Sequence, residues 1–258
     1  MADWNPALYR RFEDERTRPA RDLLARVPLA ECALAYDLGC GPGNSTELIV
    51  ERFPRARVVG LDNSPAMLES ARKRLPDTAF ELADISAWQP APAPDLIYSN
   101  ATLQWVPGHE SLVPRLFSML APGGVLAVQM PDNMQEPSHR AMADVASQPA
   151  FCSMSGTTGS RAELLGVDGY YDLLAPIAHS VDVWRTAYQH PMASPAAIVD
   201  WLRSTGLRPF LDALPDDTQR NAFLAEYERR MDAAYPPRAD GKRLLAFPRL
   251  FFVAVKKP

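Results

Sequence analysis

An excess of basic residues is missing from this chain. Its 27 Lys and Arg stand against 31 Asp and Glu, a formal net charge of −4, so the electrostatic footprint that nucleic acid demands is absent. Long apolar runs are missing as well. None approaches the ~20 residues that a membrane-spanning helix needs, and no membrane partner is expected. Cysteine is scarce: Cys32, Cys40 and Cys152 cannot all pair and show no metal-ligand spacing, which points to a reduced, cytoplasmic protein with no metal. The opening residues Met1-Ala2-Asp3-Trp4-Asn5-Pro6 carry neither a basic region nor an apolar one, so no signal peptide is expected. No internal repeat is visible, and the Pro-rich patch from Gln89 to Pro94 is too short for a linker and reads as a loop.

What the chain does have is a core and one dense motif. Of its 258 residues, 47% are apolar, enough for one α/β domain with an elaboration. The motif is Tyr36-Asp37-Leu38-Gly39-Cys40-Gly41-Pro42-Gly43-Asn44-Ser45. An apolar run from Cys32 reaches a carboxylate, then a turn with three glycines, then a helical pattern from Thr46 to Phe53. Strand, glycine turn and helix in that order let a ligand approach the backbone and meet the helix amides. A plain tight turn would read the same way. The second run, Val58-Val59-Gly60-Leu61-Asp62, raises the functional reading, because an acid about 20 residues past such a turn suits ribose hydroxyls. A dinucleotide and an adenosyl nucleoside both remain. The dinucleotide fingerprint wants a third glycine where Asn44 stands, and Asp37 would repel a pyrophosphate. Asp37 would welcome an ammonium or sulfonium, so the local chemistry favours a cationic nucleoside.

The rest of the first half alternates. Tyr9 to Val27 reads as an amphipathic helix or helix pair broken near Pro19, either a solvated face or a lid. Ser64 and Pro65 are a cap and first position for a helix to about Leu75. Strands follow at Ala79–Leu82, Asp95–Asn100 and Val125–Met130, the last two separated by a helix from His109 to Leu120. This rhythm predicts a parallel, right-handed sheet with its ligand beyond the carboxyl ends of the strands. Those ends are Asp37, Asp62, Asp84, Asn100 and Met130. Past residue 131 the rhythm changes: a loop-rich stretch to Gly159 with one short helix near His139 to Ala146, a helix at Gly169–Ile177, a strand at Val181–Tyr188, helices from Ser194 to Tyr235 with breaks near Gly206 and Pro215, and a last strand at Phe247–Val255.

Asp37–Asn44, Asp62, Asp84 and the Leu-x-Pro-Gly-Gly at 120–124 together resemble the class I S-adenosylmethionine-dependent methyltransferases over about residues 30–130. The resemblance implies a Rossmann-like α/β fold: a seven-stranded, mostly parallel sheet with helices on both faces, an antiparallel last strand, and a helical cap inserted between strands six and seven. The whole chain then reads as one domain: an N-terminal helical lid to residue 30, a nucleoside-binding core at 31–131, cap and sixth strand at 132–190, helical insertion at 191–246, and last strand at 247–258. A closer resemblance, to the trans-aconitate 2-methyltransferase family, rests on Trp4-Asn5-Pro6, Leu103-Gln104-Trp105, Val128-Gln129-Met130-Pro131-Asp132-Asn133, Tyr170-Tyr171-Asp172, Val183-Trp184-Arg185-Thr186 and Gly206-Leu207-Arg208-Pro209. It implies a monomeric cytoplasmic enzyme that esterifies a small tricarboxylate and leaves S-adenosylhomocysteine.

Carried over by motif, Gly39, Gly41 and Gly43 floor the methionine part, and Asp37 lies near its sulfonium end. Asp62 accepts the ribose hydroxyls, with Asn63 and Met67 beside the adenine. Asp84 and Ile85 hold the adenine amino group and face, and Asn100, Gln104 and Trp105 line the methyl-transfer position. A tricarboxylate needs fixed cations, preferably forked arginine donors. The sixth strand ends at His190 and the seventh starts at Phe247-Pro248-Arg249, so Arg249 and His190 lead the substrate candidates, with Tyr170, Tyr171 and Trp4 behind and Arg16 and Arg18 added if the first helix is a lid. Each has an ordinary structural alternative. A carboxylate acceptor is already ionised, so no residue is expected to act as an acid or base. Alternatives remain: another small acid, a phenol with His109 as the nearby base, a binding module without turnover, or a nicotinamide dehydrogenase.

Overall fold

The computed structural model describes the backbone of residues 13–154, 161–203 and 205–258, and side chains over the same ranges except 13–16 and 152–154. Trp4, the side chain of Arg16 and residues 155–160 lie outside the described residues. The described chain forms a seven-stranded sheet in the order β3-β2-β1-β4-β5-β7-β6. Its strands are β1 (Leu34–Leu38), β2 (Arg57–Asp62), β3 (Ala79–Leu82), β4 (Leu96–Asn100), β5 (Val125–Pro131), β6 (Ala178–Met192) and β7 (Arg243–Lys256). The first five pair in parallel, and β7 runs antiparallel to β5 with Val125 opposite Val255 and Pro131 opposite Arg249. The order reverses between β1 and β4, the switch point where open α/β sheets bind ligands.

Side chains alternate across a strand, and the two faces of the sheet divide accordingly. Leu34, Tyr36 and Leu38 of β1, Ile97 of β4 and Leu126, Val128 and Met130 of β5 share one core with α4 (His109–Ser118) and α6 (Gly166–Leu174). The opposite face carries Tyr98, whose hydroxyl donates to the Ala20 carbonyl of α1 (Glu13–Ala25) at 2.6 Å. On that face too, Phe80 packs with Cys40 and with Leu68 and Ala71 of α3 (Pro65–Arg74). β5 is buried at all seven positions, as a central strand covered on both faces must be. Helix α2 (Asn44–Arg52) follows the glycine turn, and Ser64 caps α3 by accepting from the Met67 amide at 3.3 Å.

Several extents differ from the sequence reading, among them three that bear on the site. Helix α1 runs through Pro19 instead of breaking there, because Ala20, Leu23 and Leu24 beyond it are buried against the domain. β6 is longer at both ends than Val181–Tyr188. β7 begins at Arg243, so Arg249 lies well inside the strand and not at its start. A proline usually marks a strand's first residue. Here Pro248 sits within the strand and its carbonyl accepts from the Asp132 amide at 2.9 Å.

The chain divides into two compact units. The first comprises residues 1–131, 161–186 and 249–258; the second comprises 132–160 and 187–248. The second holds α5 (Pro137–Ala146), α7 (Pro195–Arg203), α8 (Arg208–Asp212) and α9 (Asp217–Ala234), and its breaks fall at the Gly206 and Pro215 regions read from the sequence. Its interior is fastened by Tyr227, whose hydroxyl donates to the Ser138 carbonyl at 2.8 Å, and by Tyr235, whose hydroxyl accepts from the Ser138 amide at 3.1 Å. Among the described residues no helix is long and apolar enough to cross a membrane.

Candidate active site

The site of the first unit is built on the glycine turn. The Gly39 and Cys40 amides both donate to the Leu61 carbonyl, at 2.7 and 2.9 Å, which fastens the turn to the end of β2. Gly39 and Gly41 have φ of 70° and 54°, a region that suits glycine. They are required for different reasons. A Cβ on Gly39 would lie 2.1 Å from the Thr102 hydroxyl, whereas a Cβ on Gly41 would meet nothing within 4 Å. Gly41 therefore faces open space, and its amide donates to Asp62 Oδ2 at 2.9 Å. Asp62 Oδ1 accepts from the Ser64 amide at 2.9 Å. The two backbone donors fix the carboxylate at the end of β2. Asn63 beside it is exposed, and Met67 is buried beneath the Ser64 cap. At the end of β3, Asp84 is exposed and accepts from the Ser86 amide at 2.9 Å; hydrogen bonds from the Ser86 hydroxyl and then its amide hold the carboxyl below the usual range. Ile85 is buried, its carbonyl taking a hydrogen bond from Arg115 at 2.6 Å.

Asp37 is wholly buried at the end of β1. Oδ2 accepts from the Ser45 and Thr46 hydroxyls, each at 2.7 Å, while Oδ1 finds no partner among the described residues. Burial pushes its pKa up to about 6; the two hydroxyls resist the rise and the charge of Asp62 adds to it. A buried carboxylate with one oxygen left over is a receptor for a cation such as a ligand ammonium.

The ends of β4 and β5 carry a second polar row. Asn100 Oδ1, Gln104 Oε1 and Gln129 Nε2 are buried and find no hydrogen-bond partner among the described residues. The loop between them is strained: Ala101 has φ of 55°, which side-chain-bearing residues seldom adopt away from functional turns. It is held by the Ala101 amide donating to the Gln129 carbonyl at 2.9 Å and by Gln104 Nε2 donating to the Ala101 carbonyl at 2.7 Å. Arg249 is 5% exposed, and its Nη1 lies 3.5 Å from Gln129 Oε1. Trp105 is half-buried beneath the guanidinium of Arg161, 5.1 Å from its ring centre.

Other sequence candidates fall elsewhere. His190 belongs to the second unit, where its ring lies 4.6 Å from that of Trp201 and edge-on to Phe247. Tyr170 is 0% exposed and belongs to the core, not to an open binding surface: its ring stacks on Phe252 at 5.0 Å and its hydroxyl meets His109 Nδ1 at 2.5 Å. Tyr171, the next residue on α6, is 50% exposed. His109 is buried, and its Nε2 lies 2.8 Å from the Leu103 carbonyl. A carbonyl only accepts, so Nε2 donates to it, and Nδ1 is taken up by the Tyr170 hydroxyl. Sequence reasoning passed over two residues. Gln129 had a signal, a polar residue inside a fully buried strand; Arg161 had none, because it follows a stretch without periodicity.

Comparison with known proteins agrees with this geometry. The family described as Methyltransferase domain matches residues 35–124. A trans-aconitate 2-methyltransferase of Paracidovorax citrulli is 67% identical over 257 residues, spanning 98% of this chain and 98% of that protein. One of Variovorax paradoxus is 66% identical over 259 residues, 100% of each chain. The chain belongs to the trans-aconitate 2-methyltransferase family. Among solved structures, the Haemonchus contortus phosphoethanolamine N-methyltransferase 2 in complex with S-adenosyl-L-methionine superposes with a TM-score of 0.55 at 18% identity, over 93% of this chain and 53% of that one, a likeness of fold alone. The runs on which the sequence resemblance rests fall on the elements just described. Leu103-Gln104-Trp105 is the 3₁₀ turn after β4, Val128–Pro131 closes β5, and Tyr170-Tyr171-Asp172 lies in α6.

Proposed function

We propose that the chain moves the methyl group of S-adenosylmethionine to a carboxylate of trans-aconitate, acting as a cytoplasmic monomer and leaving S-adenosylhomocysteine and a monomethyl ester. The residues present fit that cofactor. Asp62, oriented by the Gly41 and Ser64 amides, would accept both ribose hydroxyls. Gly41 leaves room for the methionine part, and the lone Oδ1 of Asp37 would take its ammonium. Asn63, Met67, Asp84 and Ile85 would surround the adenine. When bound, the cofactor supplies a sulfonium methyl open to in-line displacement.

The substrate class rests on one observation: the buried guanidinium of Arg249 beside Gln129, on the β7 residue opposite the last position of β5. A polyanion needs such a fixed cation in a site shielded from water. The acceptor carboxylate is ionised at neutral pH and needs no proton taken from it. The chain's part is then alignment and exclusion of water, with Asn100, Gln104 and Trp105 around the reacting atoms. His109, committed to Tyr170 and Leu103, supports this reading over a phenol acceptor.

The test is methyl transfer from labelled S-adenosylmethionine to trans-aconitate, cis-aconitate, citrate, isocitrate and a simple phenol. Label entering chiefly trans-aconitate as a base-labile ester is expected. Normal cofactor binding with no label in any acid overturns the reading. Arg249→Ala should raise KM for the acid far more than it lowers kcat.

A further inference from the structure

We infer that Arg161 is a second anchor for the acceptor, gripping a carboxylate other than the one that is methylated. This rests on the tricarboxylate reading above. Its placement comes from the fold. The Ala162 amide donates to the Gln104 carbonyl at 2.8 Å, which pins the start of the 161–165 segment to the 3₁₀ turn after β4. The adjoining guanidinium then lies over Trp105, in the turn assigned to the methyl-transfer position. Stacking uses the face of a guanidinium and not its N–H fork, so a carboxylate can be bound in the plane while the ring holds the cation in place. Burial lowers the Arg161 pKa to about 10.

The division of labour follows from reactivity. An arginine paired with the attacking carboxylate would withdraw the charge that makes it a nucleophile, so cations belong on the spectator carboxylates. The reacting group is left without a cation, to a neutral amide donor such as Gln129 Nε2, which is buried and finds no hydrogen-bond partner among the described residues. A chain of contacts links the two arginines through that row: Ala162 to Gln104, Gln104 to Ala101, Ala101 to Gln129, and Gln129 to Arg249. Two cations joined through one strained loop measure the spacing of two carboxylates, a criterion of substrate choice that Arg249 alone cannot supply.

The experiment compares wild type with Arg161→Gln and Arg161→Lys on trans-aconitate and on three dicarboxylates that each lack one of its carboxylates: itaconate, mesaconate and cis-glutaconate. S-adenosylhomocysteine affinity is measured alongside. Loss of a charge-assisted hydrogen bond should raise KM for trans-aconitate about 10- to 100-fold in Arg161→Gln, with S-adenosylhomocysteine binding unchanged. The penalty should vanish for the one dicarboxylate that lacks the gripped group, and Arg161→Lys should recover part of the affinity. An equal penalty on all four acids, or none, overturns the assignment; so does weakened S-adenosylhomocysteine binding in both variants. If wild type methylates none of the acids, the functional reading itself has failed, and the two failures are distinguishable.

Discussion

Asp62 Oδ2 lies 2.9 Å from the amide nitrogen of Gly41, across the gap between the ends of β1 and β2. The acid that should receive the ribose is thus also the clasp of the glycine turn. Asp62→Asn presents amide hydrogens where an acceptor is required, so one of the Gly41 and Ser64 donors loses its partner. Nucleoside affinity should fall more than 100-fold and stability by about 1–2 kcal/mol, read by calorimetric titration and denaturant unfolding. Wild-type affinity in that variant would remove the ribose assignment.

Asp37 gives a pH prediction with a definite sign. Its folded pKa, about 6, stands above the 3.8 of an ordinary Asp, so the folded protein holds the proton more tightly than the unfolded chain. The carboxyl's contribution is best below pH 4, declines as pH rises toward 6, and stays unfavourable above that by an order of 1–3 kcal/mol. Asp37→Asn should therefore raise the unfolding midpoint of the ligand-free protein at pH 7.5 while weakening cofactor binding. In wild type, cofactor affinity should climb between pH 5 and 7 as Asp37 ionises. A flat affinity profile across that window would sink both statements.

The glycines of the turn should separate on mutation. Gly39→Ala drives a methyl into Thr102 and should cost several kcal/mol of stability, or prevent folding. Gly41→Ala meets only the strain of φ at 54°, about 1 kcal/mol, and should fold. Its methyl then occupies the open side of the turn, so Gly41→Ala should unfold near the wild-type temperature and bind S-adenosylhomocysteine at least tenfold more weakly.

Tyr170→Phe tests the core assignment of that tyrosine. It removes the hydroxyl from His109 Nδ1 and leaves a buried nitrogen unsatisfied, which should cost about 1–3 kcal/mol. KM for the acid should not change. A rise in KM with stability intact would return Tyr170 to the substrate site.

Local chemistry made the first half legible. A glycine turn, an acid at the tip of the second strand and a Ser-Pro helix start each depend on neighbours in sequence, and each was found where its residues stand. The strand ends Asp37, Asp62 and Asn100 were readable for the same reason. What escaped depends on partners distant in the chain. Pro19 stays helical because of what Ala20 and Leu23 bury, and the length of β7 is set by pairing that Pro248 disguises. Tyr170 stood among the substrate candidates by sequence, and its contacts with His109 and Phe252 place it in the core. Arg161 meets Trp105 across more than fifty residues, a contact that no local pattern encodes.

The imidazole of His109, with one nitrogen turned to Leu103 and the other to Tyr170, has a consequence for selection among metabolites. A ring so occupied does not relieve an arriving hydroxyl of its hydrogen. Molecules are then sorted by acidity before they are sorted by shape: an acid that dissociated in bulk water arrives ready to react, while an alcohol or phenol of the same outline can fill the space and leave unchanged.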